Sequence, residues 1–504
     1  MLTYSFDDRG RDFLYEHLYK EIKNDICTGS LKPKEKLPSK RALASHLNIS
    51  VVTVENAYSQ LLAEGYIYSK PKSGFYVSDI NSDDSAVVNS RSSVFSGKAV
   101  SCCKKEALKD TDERSNVRNE TDADGNNVSN VLSEKSGDKK KFFADFASNS
   151  TLSENFPFFT WTKLMRETMM ENRDKLMTRS PSGGIFELRK AIADYLYQFR
   201  GMSVSPNQII VGAGTEYLYG LIIQLLGNEW VYGVENPGYD KISRIYRAHK
   251  VKCCYIDVDE DGVNIDALEK SHADIIHISP SHHFPTGTVT TASRRYELLA
   301  WAANDENRYI IEDEYDSEFR LVGKPIPALQ SIDASDKVIY MNTFSKSLSS
   351  TIRISYMVLP IPLMVRFNNM LSFYSCTISN FDQYTLAHFI SDGYLEKHIN
   401  RMRNYYRSTR DRILKCLKEH GLSSRVTIME ENSGLHFLLK AQTMYSDKDM
   451  VSRAAGAGIN VTTLSQYMHG ENIPDSHTLV INYSGVEDEL IEEAIDRLLW
   501  NVLS

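Results

Sequence analysis

The chain has 504 residues, 42% hydrophobic and 25% charged, with a formal net charge of −8. That length suggests roughly three domains of ordinary globular composition, and the acidic average argues against a nucleic-acid-binding protein. Seven cysteines are too few and of the wrong parity for a disulfide scaffold, and no apolar run reaches the ~18 residues of a membrane span.

The first residues, MLTYSFDDRGRD, carry neither a basic n-region nor an apolar h-region, so a cytoplasmic protein is expected. Leu14, Leu18, Ile22 and Ile26 recur at helical spacing. Ser39 then suits the N-cap of KRALASHL. After the turn NIS, a further helix places Val54, Ala57, Tyr58, Leu61 and Leu62 on one stripe. Thr53, Asn56 and Gln60 fall on its polar face. YIYSKPKSGFYV reads as a two-stranded wing with Lys70 and Lys72 at its tip. Two short helices, a tight turn and a wing make a winged helix-turn-helix. Residues 20–78 hold nine Lys/Arg and five Asp/Glu, a local +4 inside an acidic chain. Phosphate contacts need only such a patch.

The strings LPSKRALA, TVENAY and LLAEGYI, in that order, resemble the GntR-type winged helix. The resemblance implies double-stranded DNA as a partner. It puts Ser39, Lys40 and Arg41 against phosphate or bases, Ser50, Thr53 and Asn56 at the groove, and Lys72 and Gly74 in the wing. Many relatives carry Arg after the serine of the turn, where this chain has Val51, which removes a direct guanine contact.

Residues 79–141 are rich in Ser, Asp, Asn, Glu and Lys and read as a disordered polar linker. From residue 142 apolar strands alternate with amphipathic helices. Candidate strands lie at 208–212, 231–235, 253–258, 274–279, 309–313, 338–342 and 354–359, and a helix at 184–199. The alternation predicts an α/β domain with a largely parallel sheet. From about 400 it gives way to a smaller α+β lobe ending in EDELIEEAIDRLLWNVL.

Four segments of this domain carry chemistry. In NTFSKSLSSTIRISY, Lys346 follows a strand and sits among hydroxyls, with Arg353 seven residues on. A Schiff-base lysine needs a partly desolvated pocket, and a phosphate needs hydroxyls and a guanidinium; Lys346, Thr343, Ser345 and Arg353 fit those roles. In YIIEDEYDSEF, Asp313 ends an apolar strand, where it can hold a pyridinium nitrogen protonated, and Tyr315 can reach a ring hydroxyl. In QIIVGAGTEYLYG, backbone N–H groups near Gly214 and Thr215 open a helix and suit a phosphate. In VYGVENPGYDKI, Tyr239 can stack on a planar ring.

Together the segments resemble a fold-type I aminotransferase domain. SHHFPTGTVTTASRRYELLAWA and IEDEYDSEFRLVGKPIPALQSID are close to the corresponding domain of MocR-type regulators. The resemblance implies pyridoxal 5′-phosphate on Lys346, N1 facing Asp313, Tyr315 at O3′ and Tyr239 on the ring. It also implies Gly214, Thr215, Thr343, Ser345 and Arg353 around the phosphate, with Lys346, Asp313 and Tyr315 as the catalytic set. It further implies a head-to-tail homodimer in which each winged helix rests on the partner's large domain.

Two departures stand out. Phe284 replaces the Asn of the NPTG motif, with His282 and His283 just upstream. A histidine pair suggests a metal, but no carboxylate or cysteine completes a ligand set nearby, so a pocket or structural role is expected, with His282 and His283 as candidate effector-binding residues. Val480, in LVINY, stands where aminotransferases carry the Arg that clamps a substrate carboxylate; Lys241 is the candidate substitute cation. The expected function is therefore a DNA-binding transcription regulator. It would sense an amine, amino acid or vitamin B6 effector through the Schiff base at Lys346. The alternative is an active aminotransferase with an appended DNA-binding domain.

Overall fold

A computed structural model describes residues 4, 14–47, 49–70, 74–78, 142–148, 151–321, 327–432 and 434–503. The expected linker 79–141 and Lys72 lie outside the described residues.

Three helices, Leu14–Cys27, Lys40–Leu47 and Val51–Ala63, precede an antiparallel hairpin of Ile67–Lys70 and Gly74–Val77. Their apolar spacing has a direct result. Leu18, Ile22, Leu43, Val54, Ala57, Tyr58 and Leu61 are almost wholly buried against one another. Ser39 Oγ accepts from Ala42 N at 3.2 Å, and Ser50 Oγ from Thr53 N at 3.0 Å, so each short helix has a side-chain cap. One residue departs from the expected pattern. Gln60 is buried, because its amide donates to Glu64, which also accepts from the Tyr19 hydroxyl at 2.6 Å. The cluster extends to Ala292 of the following domain, whose N–H donates to the Glu64 carbonyl at 2.9 Å.

An eight-stranded sheet forms the centre of the large lobe. Its order is Ile209–Gly212, Ser355–Val358, Val338–Thr343, Tyr309–Glu314, Ile275–Ile278, Val231–Asn236, Lys252–Asp259, Gly262–Val263. All seven strands read from the sequence are in it. Strands from Val338–Thr343 through Lys252–Asp259 pair in parallel. Ser355–Val358 runs antiparallel to both neighbours. Alternation along each strand feeds two cores. Ile339, Met341 and Met357 pack with the helix Thr215–Leu226, while Tyr340 and Tyr356 pack with Phe186–Arg200 and Asn380–Ser391. Helices thus cover both faces, as a buried parallel sheet requires.

The small lobe has a four-stranded antiparallel sheet, Val426–Met429, His436–Ala441, Thr478–Asn482 and Thr462–Thr463. The helices Tyr394–Glu419 and Ile491–Leu503 pack on it. It also takes in chain from far upstream. Ala144–Asp145 pairs with Ile459–Asn460, and Phe146 is fully buried in the same core. No described helix is long and apolar enough to cross a membrane.

Candidate functional site

The sheet's strand ends converge on one cavity of about 230 Å³. Its lining includes Gly214, Thr215, Tyr239, Asp313, Tyr315, Thr343, Ser345, Lys346 and Arg353. These nine positions span the region from the first strand of the sheet to its last. All but Arg353 follow, or close, the carboxyl end of a strand, where open α/β sheets place ligands, and Arg353 leads into the antiparallel strand Ser355–Val358 at the same edge.

Lys346 lies on the short helix Phe344–Ser347. Burial pushes its amine down to about 7, with the Asp316 carboxylate pulling the other way. A near-neutral amine is the nucleophilic form. Beside it Thr343 Oγ1 accepts from Ser345 N at 3.2 Å and from Ser355 Oγ at 2.8 Å. Gly214 is the N-cap of the helix Thr215–Leu226, with φ +90°, and a Cβ there would lie 2.5 Å from an Arg353 guanidinium nitrogen. Only glycine lets the guanidinium and the helix N-terminus share this corner. The combination suits an anion.

Asp313 is buried on the strand Tyr309–Glu314. Its Oδ2 accepts from the Tyr219 hydroxyl and lies 3.2 Å from His277 Nε2. His277 Nδ1 is in turn 2.6 Å from the Tyr246 hydroxyl. Oδ1 is buried and has no partner among the described residues. An orphaned carboxylate oxygen in a cavity fits an N–H donor of a ligand. Tyr219 and His277 were missed by sequence reasoning. Tyr219 lies one helical turn after Thr215, and His277 is a lone polar residue in an apolar strand; neither spacing names its partner.

Tyr239 is half exposed, its ring edge-on to Phe284 at 6.0 Å. Phe284 also meets Tyr315, Tyr467 and His436 edge-on. Lys241 is not in the lining; its ammonium pairs with Glu216, which also lies 3.6 Å from Arg353. Val480 is buried within the small-lobe sheet, opposite Leu438 and Thr462.

The histidine pair needs a correction. A carboxylate and a third histidine do converge on it, brought from distant sequence. His282 Nδ1 is 2.9 Å from both Asp316 oxygens, and the His436 ring lies 4.5 Å from the His282 ring. His283 points elsewhere, to Thr286 Oγ1 at 2.6 Å, and burial pushes it down to about 3.

On the winged helix, Arg41, Ser50 and Asn56 are exposed. Lys40 pairs with Glu55 at 2.7 Å. Gly74 opens the second wing strand opposite Lys70. Val51 and Val52 are 43% and 62% exposed at the start of the third helix.

Fold and site together define an aminotransferase-type domain joined to a winged helix. Residues 144–498 match aminotransferase class I and II, and residues 14–77 match bacterial regulatory proteins of the gntR family. The HTH-type transcriptional regulator YdeL of Bacillus subtilis is 36% identical, covering 97% of each chain. The probable rhizopine catabolism regulatory protein MocR of Rhizobium meliloti is 29% identical over 97% of this chain and 94% of its own. The HTH-type pyridoxine biosynthesis transcriptional regulator PdxR of Corynebacterium glutamicum is 30% identical over 90% of this chain and 88% of its own. Kynurenine aminotransferase of Pyrococcus horikoshii shares the fold, with TM-score 0.62 and 22% identity, covering 72% of this chain and 91% of that one. The chain belongs to the MocR-type GntR family of HTH transcriptional regulators with an aminotransferase class I/II domain.

Proposed function

We propose that this regulator binds pyridoxal 5′-phosphate at Lys346 and answers an amine, amino acid or vitamin B6 effector in the same cavity. One observation carries the reading. A buried lysine held near neutrality shares a cavity with an orphaned Asp313 oxygen and a glycine-arginine anion corner. Those features fit an aldehyde, a ring nitrogen and a phosphate respectively.

When bound, pyridoxal phosphate supplies an aldehyde that condenses with primary amines and a ring that withdraws electrons. The chain's own residues do the rest. Lys346 offers its amine. Asp313, fixed by Tyr219 and His277, accepts a proton-bearing nitrogen through Oδ1. Arg353, Ser345 and the N–H groups after Gly214 hold the phosphate. Tyr239 and Phe284 close the aromatic side.

Signal output runs through the segment after Ser279. Ser279 lines the cavity, and Thr291 and Ala292 meet the winged helix at Gly65 and Glu64. Lys40, Arg41, Ser50, Thr53 and Asn56 then engage double-stranded DNA, with the wing alongside. The proposed working unit is a cytoplasmic head-to-tail homodimer. Full transamination is disfavoured, because buried Val480 supplies no cation for a substrate carboxylate.

The test is the visible spectrum of the purified full chain with added pyridoxal phosphate. Once unbound cofactor has been removed, a visible band that is absent in Lys346→Ala is expected. A colourless wild type, or an equal band in the variant, overturns the reading.

A further inference from the structure

We propose that His282, locked by Asp316, is a positioning residue that turns the Tyr315 hydroxyl proton into the cavity. The inference rests on the reading that the cavity takes pyridoxal phosphate at Lys346. His282 Nδ1 lies 2.9 Å from both Asp316 oxygens and 3.1 Å from the Tyr315 oxygen. A carboxylate can only accept, so Nδ1 carries the hydrogen. That N–H is shared between Asp316 and the phenol oxygen, which therefore acts as an acceptor toward His282. The phenol's own O–H is left to donate elsewhere, and Tyr315 lines the cavity.

Three observations show a built arrangement. The His282 and Asp316 side chains are each only 2% exposed. The His282 ring lies nearly parallel to the Tyr315 ring, 5.8 Å away and tilted by 25°. Position 434 is glycine, where a Cβ would overlap the His282 ring and stand 2.7 Å from Asp316 Oδ2. Phe284 is the other neighbour of Tyr315 from this loop, and its phenyl has no hydrogen to give. Arg200 braces the preceding residue, donating to Ser281 Oγ at 3.1 Å while paired with buried Glu314 at 3.0 Å.

The titratable groups facing His282 are Asp316 and Tyr315 from the large lobe, His436 and Glu430 from the small lobe, adjacent His283, and Lys346 beyond His436. Burial holds His436 well below its usual range. Its Nε2 reaches the Pro285 carbonyl at 3.2 Å, so it packs against His282 without competing for Nδ1.

A donor aimed at a ring oxygen favours that oxygen's anionic form. Losing the donor moves the pH midpoint of the bound pyridoxal phosphate's visible transition upward. The experiment titrates the loaded full chain between pH 5 and 10 as wild type, His282→Leu, His282→Phe and His282→Asn. His282→Leu and His282→Phe remove the N–H and are expected to raise the midpoint by about one pH unit, a tenfold change in proton affinity. His282→Asn keeps an N–H at the Nδ1 position and is expected to titrate close to wild type. His282→Phe, which keeps a ring at that place, keeps the test decisive if His282→Leu misfolds. Midpoints equal to wild type in both His282→Leu and His282→Phe overturn the proposal while leaving the cavity reading intact. A wild type with no Lys346-dependent band overturns the cavity reading itself.

Discussion

Ala292 donates its backbone N–H to the Glu64 carbonyl at 2.9 Å, which ties the winged helix to the large lobe. Next to that bond Gly65 has φ +74°, and a Cβ there would lie 3.0 Å from the Thr291 Cβ. Gly65→Ala therefore meets both backbone strain and a clash. We expect a loss of about 1–2 kcal/mol, read as a lower Tm and faster proteolysis before residue 142. An unchanged Tm and cleavage rate would show that the contact contributes nothing.

Lys346 makes stability pH-dependent. Its folded amine is pushed down to about 7, whereas an unfolded lysine titrates near 10.4. Between those values the unfolded chain binds more protons, so this group's contribution to stability rises with pH and is lost as pH falls toward 7. Lys346→Met removes the penalty. In the cofactor-free protein the variant's advantage over wild type should be largest near pH 7, on the order of 4 kcal/mol at most, and vanish by about pH 10.5. Urea unfolding of both proteins across that range measures it. An advantage independent of pH contradicts the depressed amine.

Tyr219 holds the Asp313 carboxylate from one side. Tyr219→Phe leaves the cavity's shape and removes that hydroxyl. The expected result is roughly tenfold weaker pyridoxal phosphate binding, about 1.4 kcal/mol, measured by fluorescence titration. Equal affinity would remove Tyr219 from the site.

The DNA face makes two separable predictions. Lys40→Ala and Arg41→Ala should each weaken promoter binding and flatten its salt dependence by about one unit of slope. Exposed Val51 and Val52 suit thymine methyl groups rather than guanine. Exchanging thymine for uracil in the bound fragment should weaken wild type several-fold and leave Val51→Ala/Val52→Ala unaffected by the exchange. Binding that ignores salt would exclude this face.

Much of this was legible in residue order. Strand-helix alternation located all seven strands, because apolar runs bounded by turns are local signals. The nine cavity residues were found from four segments, since strand ends and small hydroxyls announce themselves. What escaped depends on pairing between distant segments. Asp316 and His282 are 34 residues apart, and nothing local aims one at the other. His277 meets Asp313 only because their strands are neighbours in the sheet. Gln60 is solvent-facing by helical phase, yet it is buried with its amide donating to Glu64. Phe146 joined the small lobe by crossing to a strand more than 300 residues on.

Coupling of the regulator's grip on DNA to the Lys346 cavity is measured by titrating a labelled fragment from upstream of the chain's own gene with wild type and Lys346→Ala. Each protein is measured with and without saturating pyridoxal phosphate. Pyridoxal phosphate is expected to change the wild-type Kd at least fivefold, about 1 kcal/mol of coupling, and to leave the variant unchanged. The same response in both proteins, or none in wild type, would contradict it.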